Sequence, residues 1–231
     1  MTSSLLIAHR GAKKYAPENT LCALKKAHEQ GATWVEFDVQ LSADNHAIVI
    51  HDETVDRTTN GTGLVSELDL SALQQLEAGA WFDPSFKNER IPTLKQWLTC
   101  AASLNLSLNI ELKPTGDIQQ QEKLIHRVLD DLKHAWPATH TPPLVSSFNL
   151  SCLEKFKQAQ SFCSIGLLID TWDDQWEVMA QKLQCQTIHV QHEQLTRSRI
   201  CAVKQAGFSV FAYTVNDLKR ATMLLAAGID R

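Results

Sequence analysis

The hydrophobic pattern of this chain alternates between two periods. Short apolar runs of strand length stand at 5–9, 34–38, 108–112, 144–148, 165–169, 187–190 and 209–214, each bounded by polar or turn-forming residues. Between them, apolar residues recur at helical spacing. From Thr20 to Gln30 they are Leu21, Cys22, Leu24 and Ala27, with Asn19 where an N-cap belongs and Gly31 where a helix stops. The same spacing predicts helices over Gln121–Leu132, Leu150–Gln158, Asp174–Leu183, Arg197–Gln205 and Leu218–Ala227. Repeated strand-then-helix units imply an α/β fold with a parallel sheet, either open and doubly wound or closed into a barrel.

One segment breaks the rhythm. "QLSADNHAIVIHD" runs strand, polar turn, strand, with too few residues for a crossover helix, so its strands should pair antiparallel. A two-residue Asp44–Asn45 loop would set Asp38 across from His51. From Glu53 to Pro92 strand character is weak, and a short helix around Leu70–Leu76 is the only element expected there. We therefore expect a single domain over 1–231 with an insertion at about 45–92. Leaving the hairpin's return strand aside, an eight-stranded barrel needs one more strand. The chain stops at "AAGIDR", where an eighth would be starting, so that strand is expected to be truncated or closure achieved another way.

The composition narrows the function classes. A length of 231 residues, 44% hydrophobic and 21% charged, suits one sizeable soluble domain. The net charge of −4, with no Lys/Arg-rich stripe, argues against nucleic acid as a partner. The six cysteines are scattered without a C-x-x-C pair, which fits reduced thiols better than a zinc site or a disulfide scaffold. "MTSSLLIAHRG" lacks the basic start and long apolar run of a signal peptide, and no stretch has the length of a membrane span. A cytoplasmic protein with no membrane partner is expected.

Ionisable residues collect at the C-terminal ends of the predicted strands, where βα barrels build their active sites. They are His9, Glu36, Asp38, His51, Glu111 and Lys113, with Arg10 directly after the first strand. Glu36 and Asp38, two apart on a strand, point to one face, as do Glu111 and Lys113. Carboxylates flanked by Trp34, Val35, Phe37 and Val39 are costly to bury unless compensated. Three converging carboxylates suggest a hard divalent cation with oxygen ligands. A divalent ion, Arg10, Lys113 and one phosphodiester charge together bring that trio to neutrality. Each residue alone is more often a salt-bridge partner or structural histidine; their joint placement at one end favours a site. His28, His46, His126, His134 and His140 are expected at the surface, and His189 and His192 in structural roles before any substrate role.

The segments "AHRG…APENT", "EFDVQLSAD", "VIHDETVDRTTNGTG", "AGAWFDPSF", "IPTL", "IELKP" and "YTVN" resemble the glycerophosphodiester phosphodiesterase family. "TPPLVSSFN" and "GLLIDTWDDQW" are similar to its bacterial cytoplasmic branch, and the resemblance runs in order along essentially the whole chain. It implies a TIM-type (β/α)8 barrel with a small insertion after the second strand. The implied reaction is hydrolysis of glycerophosphodiesters, deacylated phospholipid head groups, to sn-glycerol 3-phosphate and an alcohol. Carried over position by position, His9 and His51 are the catalytic histidines and Glu36, Asp38 and Glu111 the metal carboxylates. Arg10 and Lys113 are the phosphate-contacting cations. Phe148 and Tyr213 lie where family members place rings near the glycerol, although the family usually has Trp at the position of Tyr213.

Mg²⁺ is the expected metal, with Ca²⁺ the alternative, because an all-oxygen donor set disfavours zinc. Metal, Arg10 and Lys113 would stabilise charge developing on the phosphoryl oxygens, and two histidines would take up and deliver protons. By family analogy the nucleophile is the neighbouring glycerol hydroxyl, which gives a cyclic phosphate that water then opens. Two other readings stay open: a phospholipase on the same barrel, akin to phosphatidylinositol phospholipase C or sphingomyelinase D, and a protein that binds glycerophosphodiester and metal without turnover. A homodimer is the commonest assembly for such a protein.

Overall fold

In a computed structural model the described residues are 5–159 and 162–231. They fall into two compact units, one ending at Pro143 and the other beginning at Leu144. In the first unit, β1 (Ala8–His9) and β4 (Ser107–Leu112) both run parallel to β2 (Trp34–Leu41). The register sets His9 beside Glu36 and Asp38 beside Glu111. Alternation along β2 sends Val35, Phe37 and Val39 into fully buried positions, and the Phe37 ring meets Trp97 at 4.8 Å between centroids. Glu36 and Asp38 take the opposite face.

Helix α1 (Leu21–Glu29) connects β1 to β2. Its N-cap is Thr20, whose hydroxyl accepts from Ala23 N–H; Asn19 stands one residue earlier in the left-handed region at φ +57°. The cap expected at Asn19 is therefore displaced by one residue, which frees the Asn19 side chain for other work.

The hairpin pairs β2 with β3 (Ala47–Val49) as expected, but one residue out of the anticipated register. Val39 lies opposite Val49 and Leu41 opposite Ala47. Ile50 N–H donates to Asp38 C=O at 3.2 Å, so Ile50 and not His51 faces Asp38. The cause is the loop: Ser42 and His46 still pair, leaving three residues, and Asn45 adopts φ +62°. That is a type I turn closed by a left-handed residue, a common three-residue hairpin connection.

After β3 the chain makes its excursion through α2 (Leu70–Leu73) and short 3₁₀ turns, and α3 (Leu94–Ser103) then leads to β4. Ile48, Ile50, Val55, Val65, Leu73, Ala78 and Ile91 pack into a small core of their own. Each fully buried aliphatic there contributes about 1.5–3 kcal/mol, which holds a segment with little regular structure. Helix α3 was not among the elements expected. Its signal is a capping box, Thr93 with Gln96, in which each side chain satisfies the other's backbone N–H. Helix α4 (Ile118–Ala135) completes the unit.

The second unit is four strand–helix repeats: β5 (Leu144–Ser147), α5 (Leu150–Ala159), β6 (Ser164–Ile169), α6 (Trp176–Leu183), β7 (Thr187–Gln191), α7 (Arg197–Gln205), β8 (Ser209–Tyr213) and α8 (Leu218–Ala226). Its strands pair in sequence order, all parallel. His189 is buried in this sheet, stacked on Phe211 at 4.8 Å and within 2.8 Å of the Thr187 hydroxyl. Burial pushes its pKa down to about 3, so the ring is neutral. Only glycine fits at 166, because a Cβ there would sit 2.7 Å from His189 Nε2. At the end of the chain Asp230 N–H donates to Val210 C=O at 3.0 Å and Ala212 N–H to Arg231 C=O at 2.9 Å. Residues 230–231 thus run alongside β8, at the position expected for a further strand. All six cysteines are free. Among the described residues no helix is long and apolar enough to cross a membrane.

Candidate active site

The site grows from the ends of β1, β2 and β4. Directly after His9 the chain turns through two left-handed residues, Arg10 at φ +54° and Gly11 at φ +76°. A Cβ at Gly11 would lie 2.7 Å from the Ala23 backbone, so only glycine lets this turn rest on α1. The turn aims Arg10 N–H at Glu36 Oε2, at 3.1 Å. The Arg10 side chain reaches Glu18 at 2.7 Å and Asp38 at 3.4 Å. Asn19 N–H returns to Arg10 C=O at 3.0 Å, and its side-chain amide donates to Asp38 Oδ2 at 2.9 Å.

Glu36, Asp38 and Glu111 each bring a carboxylate oxygen to within 4.8 Å of the others. Asp38 is 1% exposed, and the side chains of Glu36 and Glu111 are 12% and 13% exposed. Burial and the neighbouring carboxylates push the Glu36 pKa well above the usual range. Burial, then Asp38, raises Glu111 to about 7, although Lys113 stands 3.7 Å away. Glu36 Oε1 and Asp38 Oδ1 are buried and accept no hydrogen bond. Burying charged oxygens without partners costs several kcal/mol, so this trio is under-compensated by its own protein. Its donors are all hard oxygens at a spacing one ion can bridge, and a divalent cation such as Mg²⁺ or Ca²⁺ fits it.

The two histidines have different settings. His9 Nε2 is 3.7 Å from Glu36. Burial, then the adjacent Arg10 charge, pushes its pKa down to about 2. His51 follows β3, and its Nδ1 is 2.6 Å from Asp52. Burial also lowers its pKa, against the pull of Asp38 and Asp52. Both rings therefore rest neutral, unlike the mixed acid and base forms that an ordinary pKa of about 6.5 would give near neutrality.

Sequence reasoning missed two side chains that set this geometry. One is Asn19, tied to Asp38. The other is Gln40, 1% exposed, whose amide nitrogen lies 3.1, 3.0 and 2.7 Å from the carbonyls of Ile50, His51 and Asp52. Gln40 thus holds the backbone that presents His51. Its only sequence signal was a polar residue that alternation puts on the same face of β2 as Glu36 and Asp38. Phe148 and Tyr213 lie in the second unit, edge to face at 5.9 Å, with the Tyr213 hydroxyl donating to Ile169 C=O at 2.9 Å.

A profile of the glycerophosphoryl diester phosphodiesterase family matches residues 9–231. The chain belongs to that family. A glycerophosphodiester phosphodiesterase of Caldanaerobacter subterraneus is 35% identical over 98% of this chain and 92% of its own. One from Bacillus subtilis is 30% identical over 97% of this chain and 81% of its own. A phosphodiesterase of Oleispira antarctica, solved with its product sn-glycerol-3-phosphate, superposes with a TM-score of 0.93. It is 36% identical, and the match covers 97% of this chain and 90% of that one. The fold class is accordingly α/β of the (β/α)8 type, as the strand–helix rhythm and the motifs led us to expect. Family membership also makes the protein an enzyme, a glycerophosphodiester phosphodiesterase.

Proposed function

We propose that the protein hydrolyses glycerophosphodiesters to sn-glycerol 3-phosphate and an alcohol, using a divalent cation held by Glu36, Asp38 and Glu111 and proton transfer by His9 and His51. The observation that carries this reading is the pair of buried, unpartnered oxygens, Glu36 Oε1 and Asp38 Oδ1, in a cluster where burial and neighbouring carboxylates raise the pKa of Glu36 and of Glu111. When bound, the cation supplies Lewis-acid stabilisation of charge building on the phosphoryl oxygens; Mg²⁺ is our first choice and Ca²⁺ our second.

The chain's own residues do the rest. Arg10, pinned through Glu18 and Asp38, offers a fixed guanidinium to a non-bridging phosphate oxygen, and Lys113 offers a second positive charge. A neutral imidazole can accept the proton of the attacking hydroxyl. The diester's negative charge beside the other ring raises its proton affinity, so it can deliver a proton to the departing alkoxide. Asp52 accepts at His51 Nδ1, which leaves Nε2 as the nitrogen available for transfer. The nearby glycerol hydroxyl as nucleophile, with a cyclic phosphate that water opens, is consistent with this pair. The family resemblance is the ground for assigning Phe148 and Tyr213 to the glycerol.

The test is release of glycerol 3-phosphate from glycerophosphoethanolamine, read by a coupled dehydrogenase, with Mg²⁺ or with EDTA. Metal-dependent release is expected. His9→Ala and His51→Ala should each lose at least about a hundredfold in kcat; near-normal turnover by either folded variant removes its role. Tight binding without product would favour a non-catalytic binder, and activity confined to intact lipid vesicles a phospholipase.

A further inference from the structure

A chain of alternating charges joins Arg10 to His51 by a route that avoids the acid trio. Arg10 Nη1 donates to Glu18 at 2.7 Å. Arg57 Nη1 and Nη2 donate to the two oxygens of Glu18 at 3.1 and 2.8 Å. Arg57 Nε and Nη2 donate to the two oxygens of Asp52 at 2.5 and 3.0 Å. Asp52 in turn lies 2.6 Å from His51 Nδ1. One guanidinium therefore forks onto two carboxylates, and each carboxylate holds one residue assigned above to the diester.

Two features separate this from an ordinary surface ion pair, which is worth little. First, both carboxylates are more sheltered than Arg57: its side chain is 46% exposed, against 10% for Glu18 and 27% for Asp52. Burial alone would push the Glu18 pKa up, but the hydrogen bonds of Arg57 and Arg10 outweigh it and hold the carboxyl at about 2. Second, the loop that carries Arg57 is braced. Val55 is fully buried and its N–H donates to Gly63 C=O at 3.0 Å. Thr59 Oγ1 donates to Val55 C=O at 2.7 Å, and Asp56 accepts from Gly63 N–H at 3.1 Å. The "TVDRTTNGTG" segment reads as a pedestal for one arginine.

We propose that Arg57 is a positioning residue: its guanidinium fixes Asp52, which holds His51 as the Nδ1–H tautomer, and fixes Glu18, which orients Arg10. An ionised Asp52 only accepts, so the proton of neutral His51 sits on Nδ1 and Nε2 keeps its lone pair. Lysine cannot take this place, because a point charge cannot fork onto two carboxylates in one plane. The inference rests on the roles given to His51 and Arg10 above, but one of its readouts does not depend on turnover.

That readout is the His51 tautomer, seen in long-range ¹⁵N–¹H spectra of histidine-labelled protein. Wild type should show Nδ1–H alone, and Arg57→Ala a mixture of tautomers. In the coupled assay with Mg²⁺, Arg57→Ala should lose about ten- to a hundredfold in kcat, the range expected for misplacement of reacting groups by about 1 Å. Millimolar guanidinium should restore about fivefold or more of that loss, while Arg57→Lys recovers less. If Arg57→Ala does not fold, the Lys variant carries both measurements. Any one of three results overturns the proposal: an unmixed tautomer in the variant, kcat within about twofold of wild type, or a loss that guanidinium does not relieve. An inactive wild type whose tautomer still depends on Arg57 would sink the function proposed above and support the positioning.

Discussion

Gln40→Met separates what the hairpin register does for His51 from what a single buried amide does. Met keeps the volume of the side chain, so the cavity term stays small, while the donors to the carbonyls of Ile50, His51 and Asp52 are lost. The amide has two hydrogens, so at most two of the three contacts are well made at once. At about 0.5–1.5 kcal/mol each, the loss is about 1–3 kcal/mol. For a chain of this size about 2–4 °C of Tm follows each kcal/mol, which predicts a fall of roughly 2–12 °C. The backbone that presents His51 also loosens, and kcat should drop about ten- to a hundredfold with a smaller change in KM. Thermal melts and the glycerol 3-phosphate assay on the same preparation measure both. A Gln40→Met protein that melts within about 1 °C of wild type and turns over within about twofold would refute the clamp.

Two further outcomes follow from the site's charges. Glu36→Gln removes one of three crowded carboxylates, so in EDTA the variant should melt higher than wild type, while added Mg²⁺ should stabilise wild type and leave the variant unmoved; a variant less stable in EDTA would contradict the repulsion argument. Glu18, held at about 2 against an ordinary 4.5, binds its proton more readily when unfolded. Its contribution is therefore fully present above pH 4.5 and lost as pH falls towards 2. The urea midpoint should drop across that window, and Glu18→Gln should flatten the drop; an equally steep fall in the variant would contradict it.

Much of the site was legible because strand ends are legible. Period-two alternation placed Glu36 with Asp38 and Glu111 with Lys113 on common faces, and parallel pairing then brought Asp38 against Glu111. His51 was harder to place. Its position depends on a three-residue loop closed by Asn45 in the left-handed region and on the Gln40 clamp. A two-residue loop was the simpler reading of the same letters. The Asn19 and Thr20 exchange has a similar origin: both residue types cap helices, and only backbone dihedrals decide which does. Helix α3 was legible too, since Leu94, Trp97, Leu98 and Ala101 recur at helical spacing behind the Thr93–Gln96 capping box. Arg57 and Asp52 lie five residues apart in one motif, yet Glu18, the fork's other partner, stands 39 residues from Arg57. No local pattern could join them.

The central claim is that Glu36, Asp38 and Glu111 hold a divalent ion, and calorimetric titration with Mg²⁺ and Ca²⁺ tests it most directly. With Glu111 raised to about 7 and Glu36 well above the usual range, the metal-free trio holds a proton at neutral pH. Ligation needs the ionised carboxylates, so binding must release about one proton or more and weaken as pH falls through 7. Heats measured in two buffers of different ionisation enthalpy should differ accordingly, and Asp38→Asn should bind neither ion. Equal heats in the two buffers, or an unchanged isotherm for Asp38→Asn, would contradict the account.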